Sequence, residues 1–102
     1  MMSMGIYDMF EYDKKSIGKT IKKLRLNKRL SQEVLSSFAG IARSHLSMIE
    51  NGSKSANFET IFKIANALDM NPYMLVKAIE DDYQAMAKSN DQKASVLPNS
   101  SR

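Results

Sequence analysis

The stretch QEVLSSFAGIARSHLSMIENG, Gln32 to Gly52, decides how the rest of the chain is read. Ser31 stands one residue ahead of it as a helix cap, Gln32 and Glu33 fall in the first turn, and Val34, Leu35 and Phe38 form the expected buried stripe. Gly40 ends that helix. A second one runs from about Arg43 to Asn51, buries Leu46 and Ile49, and stops at Asn51-Gly52, where glycine tolerates the left-handed backbone of a helix terminus. Only Ala39-Gly40-Ile41-Ala42 lie between the two, a spacing that forces a sharp turn and sets the helices steeply across each other.

At about 100° per residue, Leu46 and Ile49 define the inward side of the second of these helices. Ser47, Asn51, Ser44 and Met48 then face outward with Arg43 at the edge, and His45 leans toward the core boundary. The outward face is short and mostly polar, headed by an arginine at the helix N-terminus. An arginine can bind guanine O6 and N7 with two hydrogen bonds, a serine can serve any base, and Met48 can either touch a thymine methyl or tuck against Phe38.

The remainder also reads as helix. Ile17, Ile21 and Leu24 lie at i, i+4 and i+7, giving a first helix from about Lys14 to Lys28 with Asp13 or Ser16 as its cap. Asn57 caps a fourth helix with the stripe Phe58, Ile61, Phe62, Ala65 and Leu68, expected to be mostly core. Pro72 restarts the chain as a fifth helix through Leu75, Val76, Ile79, Tyr83 and Met86. The expected fold class is all-α, a five-helix domain whose second and third helices form a helix-turn-helix. The domain is expected over 14–88, after an aromatic and apolar N-terminal extension over 1–13 and before a disordered tail over 89–102.

A length of 102 residues allows one hydrophobic core, and with 43% apolar and 25% charged residues the composition is that of a globular domain. Zero cysteines remove disulfides and thiol chemistry, and the single histidine cannot build a zinc site by itself. No cofactor or metal is implied, and no nucleophile–histidine pair or Gly-rich phosphate loop points to an enzyme. No apolar run approaches a membrane span and no secretory signal opens the chain, so the cytoplasm is the expected location. The net charge of +4 is unevenly spread: Lys14 to Lys54 holds ten basic residues against Glu33 and Glu50, while both flanks are acidic. Positive charge gathered on one half of a small domain implies an anionic partner.

The segment Gln32 to Gly52, with Leu24-Arg25, Leu30 to Glu33, Gly40-Ile41, Ile49 to Gly52 and Lys63-Ile64-Ala65 before Ala67-Leu68, resembles the Cro and phage-repressor (XRE) family of DNA-binding domains. Two departures are small: Ala42 stands where that family commonly has a serine or threonine cap, and Ser36 replaces an alanine at the helix crossing. The resemblance implies that Gln32, Asn51, Ser53 and Lys54 contact DNA phosphates and that Arg25 and Glu50 form an ion pair locking the first helix to the third. With the outward face above, the base contacts are expected from Arg43, Ser44, Ser47 and Met48.

The function expected is a sequence-specific transcriptional regulator, of repressor or controller type, that binds double-stranded DNA in the major groove as a homodimer. Its dimer contacts are expected from the fifth helix, Pro72 to Met86, with the N-terminal segment as a second contributor. The alternatives are a protein-interaction module that keeps the scaffold without reading DNA, and an antitoxin-type autoregulator with a protein partner. No membrane association is expected.

Overall fold

A computed structural model describes the backbone of residues 2–99 and the side chains of residues 14–86. The described residues form five helices and no strand: α1 (Met2–Asn27), α2 (Gln32–Ala39), α3 (Arg43–Glu50), α4 (Phe58–Ala67) and α5 (Pro72–Asn99). The fold is all-α, as the periodicity predicts.

The punctuation follows local chemistry. The Ser31 hydroxyl accepts a hydrogen bond from the Val34 amide at 3.1 Å, and the Asn57 side chain accepts one from the Thr60 amide at 2.8 Å, so both expected caps are in place. Gly40 takes φ 70°, a left-handed conformation that costs glycine nothing, and the chain turns there from α2 into α3.

Ile21, Leu35, Leu46, Ile49, Ile64, Leu68 and Leu75 are fully buried, so every helix contributes to one core. α1 packs on α3 and α5, α2 on α3 and α4, and α4 on α5. Burying each such side chain stabilises by about 1.5 to 3 kcal/mol before chain entropy is counted.

Two predicted stripes are rotated. In α2 the inward residues are Leu35, Ser36 and Ala39, while Phe38 is 66% exposed and Val34 is also on the surface. In α4 they are Thr60, Ile61, Ile64 and Ala65, while Phe58 is 79% and Phe62 51% exposed. In α2 the small Ser36 and Ala39 are buried where that helix packs on α3 and α4 and Phe38 turns outward, while in α4 Ile61 and Ile64 fill the inward side and both phenylalanines stay on the surface. Val76 of α5 is likewise exposed.

α1 and α5 extend beyond their expected bounds, beginning at Met2 rather than about Lys14 and reaching Asn99 rather than about Met86. Ser16 therefore does not cap α1 but lies buried within it, its hydroxyl without a hydrogen-bond partner. Over 89–99 the backbone is helical where a disordered tail is expected, residues 100–102 lie outside the described residues, and so do the side chains of the N-terminal extension over 1–13.

Candidate nucleic-acid interface

α3 is short enough that one face must be core and the other surface. Leu46 and Ile49 are buried to 1% exposure or less; Arg43, Ser44 and Met48 are exposed, Ser47 is half-buried, and His45 is half-buried at the boundary. The outward face is the one the helical spacing predicts. Ala42 stands at the N-cap in extended conformation without a side-chain cap hydrogen bond, as expected from its missing hydroxyl.

A buried charge network sets how α3 is held. Arg25 donates from Nε to Glu50 Oε2 at 2.7 Å and from Nη2 to Glu50 Oε1 at 2.9 Å. Its Nη1 donates to the Leu30 carbonyl at 2.7 Å, and the Gln32 amide donates to Glu50 Oε1 at 3.0 Å. Arg25 and Glu50 are each 6% exposed, so this pair stands in a low dielectric with its donors and acceptors matched. The anticipated lock between the first and third helices is present. Its extension to Leu30 and Gln32, which ties the α1–α2 corner into the same node, was not anticipated. Gln32 thus reaches inward to Glu50 while remaining half-buried at the first turn of α2.

The turn after α3 is braced in its own right. Asn51 Oδ1 accepts from the Ser53 amide at 2.9 Å, the Ser53 hydroxyl donates to the Met48 carbonyl at 3.3 Å, and the Lys54 amide donates to the same carbonyl at 3.2 Å. Asn51, Ser53 and Lys54 are all exposed, next to one another. The structure therefore brings Arg43, Ser44, Ser47 and Met48 onto one helix face, flanked at its far end by this rigid turn.

Two further contacts escape sequence reasoning. Gly18 of α1 lies against the end of α3: a Cβ there would overlap the Ile49 carbonyl oxygen and stand 2.7 Å from that of Glu50. A glycine inside a helix costs about 1 kcal/mol relative to alanine, and that cost was the available signal that the backbone is approached closely there. Asp82 of α5 accepts from Thr20 Oγ1 at 2.8 Å and from Lys23 Nζ at 2.7 Å, clasping α1 to α5. The Lys23 ammonium, followed by the Thr20 hydroxyl, holds the Asp82 carboxyl below the usual carboxylate range against partial burial. A separation of 59 residues leaves no periodic trace of this clasp in the sequence.

A family model described as helix-turn-helix matches residues 21–75, more than half of the chain. An uncharacterized HTH-type transcriptional regulator of Sinorhizobium fredii, y4dL, is 29% identical over 84 residues, which cover 78% of this chain and 43% of that protein. A second one from the same organism, y4dJ, is 28% identical over 67% of this chain and 88% of its own length. The chain thus spans less than half of one of these relatives and most of the other.

Among solved structures, the restriction-modification controller protein C.AhdI of Aeromonas hydrophila is 36% identical and superposes with a TM-score of 0.61, over 63% of this chain and 97% of that one. The clp gene regulator ClgR of Corynebacterium glutamicum shares the fold with a TM-score of 0.75 at 20% identity, over 86% and 93%. The controller protein C.Esp1396I, solved as a tetramer with its natural 35 base-pair operator, shares it with a TM-score of 0.67 at 22% identity, over 72% and 96%. This is a family of regulators and not a class of enzymes. The helical order, the turn after α2 and the Arg25–Glu50 lock agree with the match, and the chain belongs to the Cro and phage-repressor (XRE) type of helix-turn-helix DNA-binding transcriptional regulators.

Proposed function

We propose that this chain reads a specific double-stranded sequence in the major groove through α3, acting in the cytoplasm as a homodimer of repressor or controller type. The observation that carries the reading is the exposed face of Arg43, Ser44, Ser47 and Met48 on a helix rigidly keyed to α1. In this reading Arg43 takes a guanine edge and the two serines and Met48 take neighbouring bases. Gln32, Asn51, Ser53 and Lys54 hold phosphates on either side. The 36% identical controller protein favours the controller type within the family.

The dimer surface proposed is the apolar patch of exposed Phe58 and Phe62 on α4 and exposed Tyr73 and Val76 on α5, with half-buried Pro72 among them. In this reading the fifth helix supplies part of the dimer surface, and the exposed aromatics of α4 enlarge its face. A contiguous patch of this kind marks an interaction surface, and a second copy is the occupant because a two-fold repeat matches paired half-sites about one helical turn apart.

Selection of bound sites from a random duplex pool tests the reading by returning half-site sequence and spacing together. Arg43→Ala is expected to relax preference at one base position at about 1 to 3 kcal/mol, while Lys54→Ala weakens all sites alike. Equal losses on every sequence for both variants would remove the base-reading role from Arg43. Recovery of no enriched sequence would favour a protein-interaction module on the same scaffold.

A further inference from the structure

We infer that α1 carries a second DNA-backbone contact, in which Lys15 and Lys19 bind phosphates beside the turn that follows α3. The inference rests on the DNA-binding reading above and adds residues to it. Gly18 lets α1 lie directly on the end of α3, and Lys15 and Lys19 flank that point of closest approach. Both are exposed, and both line, with Asn51, Glu50, Ser16 and Met86, a shallow cavity at the junction of α1, α3 and α5. The Lys15 stem runs against Gly52, whose added Cβ would stand 2.8 Å from Lys15 Cγ. The stem of Lys15 thus lies against the first two residues of the turn after α3, Gly52 by this contact and Asn51 across the shared cavity.

The charges there are uncommitted. Among the described residues neither Lys15 nor Lys19 has a hydrogen bond or ion pair, whereas Lys23, Lys63 and Lys77 are each paired with a carboxylate. The Glu50 carboxylate in the same cavity is already matched by Arg25 and Gln32. A structural role remains for comparison, since cations stabilise a helix C-terminus. That end carries only about half an elementary negative charge, which two ammonium groups more than offset. The excess lies at a cavity that Asn51, the first residue of the turn expected to hold phosphates, also lines.

The test is a salt titration of the full chain binding a labelled random-sequence duplex, comparing wild type with Lys15→Gln/Lys19→Gln, Lys15→Arg/Lys19→Arg and Lys23→Gln. Each phosphate neutralised contributes about 0.9 to the slope of log K against log salt, so the double glutamine variant is expected to be shallower by about 1.8. Between about 50 and 200 mM salt it then loses roughly tenfold less affinity than wild type. The arginine pair keeps the wild-type slope, and so does Lys23→Gln, whose charge is held by Asp82.

A wild-type slope in the double glutamine variant, with an unchanged melting curve, overturns the inference. Equal slope changes in Lys23→Gln also overturn it, because diffuse charge would then suffice. If the double variant fails to fold, Lys19→Gln alone decides by a shift of about 0.9 or none. A wild-type protein without salt-dependent affinity overturns the DNA reading itself, an outcome separate from the other three.

Discussion

At the scale of single residues, Glu50 concentrates more structure than any base-reading side chain. It accepts from two nitrogens of Arg25 and from Gln32 while almost wholly buried, so Glu50→Ala leaves the arginine charge without its counterion. Such a loss costs about 3 to 5 kcal/mol, and denaturant unfolding is expected to show it before any change in the preferred DNA sequence appears. A variant that melts like wild type and yet loses binding would instead make Glu50 part of the contact surface. Gly18 makes a sharper case, because Gly18→Ala meets two backbone carbonyl oxygens that cannot rotate away. Overpacking of this kind costs about 1 to 3 kcal/mol, against the gain that alanine brings to an ordinary helix position. The Arg25–Glu50 pair was legible in the sequence because the family motif fixes both partners. The Leu30 and Gln32 contacts were not, since they depend on the corner where Arg29 takes φ 58°, a local conformation without a compositional signature.

At the scale of elements, the helices were legible and their rotations were not. Ser31, Asn57, Gly40 and Pro72 mark the ends by chemistry that needs no tertiary context. Which face turns inward is set by packing against the other helices, and there Ser36 and Ala39 take the inward side in place of Phe38 and Ile64 in place of Phe62. Two predictions belong here. Ala42→Ser supplies the missing cap of α3 and is expected to stabilise by about 1 kcal/mol, raising the melting temperature by about 4 to 8 °C; no rise would mean that the α3 amides are already satisfied. The α1–α5 clasp predicts a pH dependence. The Asp82 carboxyl is lowered in the fold, so its contribution is complete above the unfolded carboxylate range and disappears as pH falls through the lower folded value. The stability difference between wild type and Asp82→Asn is therefore expected to shrink on acidification below about pH 4. A difference constant from neutral pH to that range would assign the clasp to the Thr20 hydrogen bond alone.

At the scale of the whole molecule, the amount of sequence information one copy can read argues for two. On α3 only Arg43 can grip a base with two hydrogen bonds, worth about 1 to 3 kcal/mol of discrimination. Specific binding usually exceeds non-specific binding by about 4 to 10 kcal/mol, so a single face falls short and two faces on one duplex approach the range. The exposed Phe58, Phe62, Tyr73 and Val76, apolar, contiguous and outside the residues assigned to DNA, are the surface proposed to bring the two copies together. Phe62→Asp places a charge in that patch at a site half exposed in the single chain, so the fold is expected to keep its stability while self-association fails. Sedimentation is expected to show a monomer for the variant and a dimer for wild type. On a duplex with two half-sites the variant should bind little better than on one, whereas wild type gains strongly from the second. A dimeric Phe62→Asp protein would move the interface away from α4 and toward the remainder of α5 or the N-terminal helix. A monomeric wild type that still selects paired half-sites would show instead that DNA itself brings the two copies together.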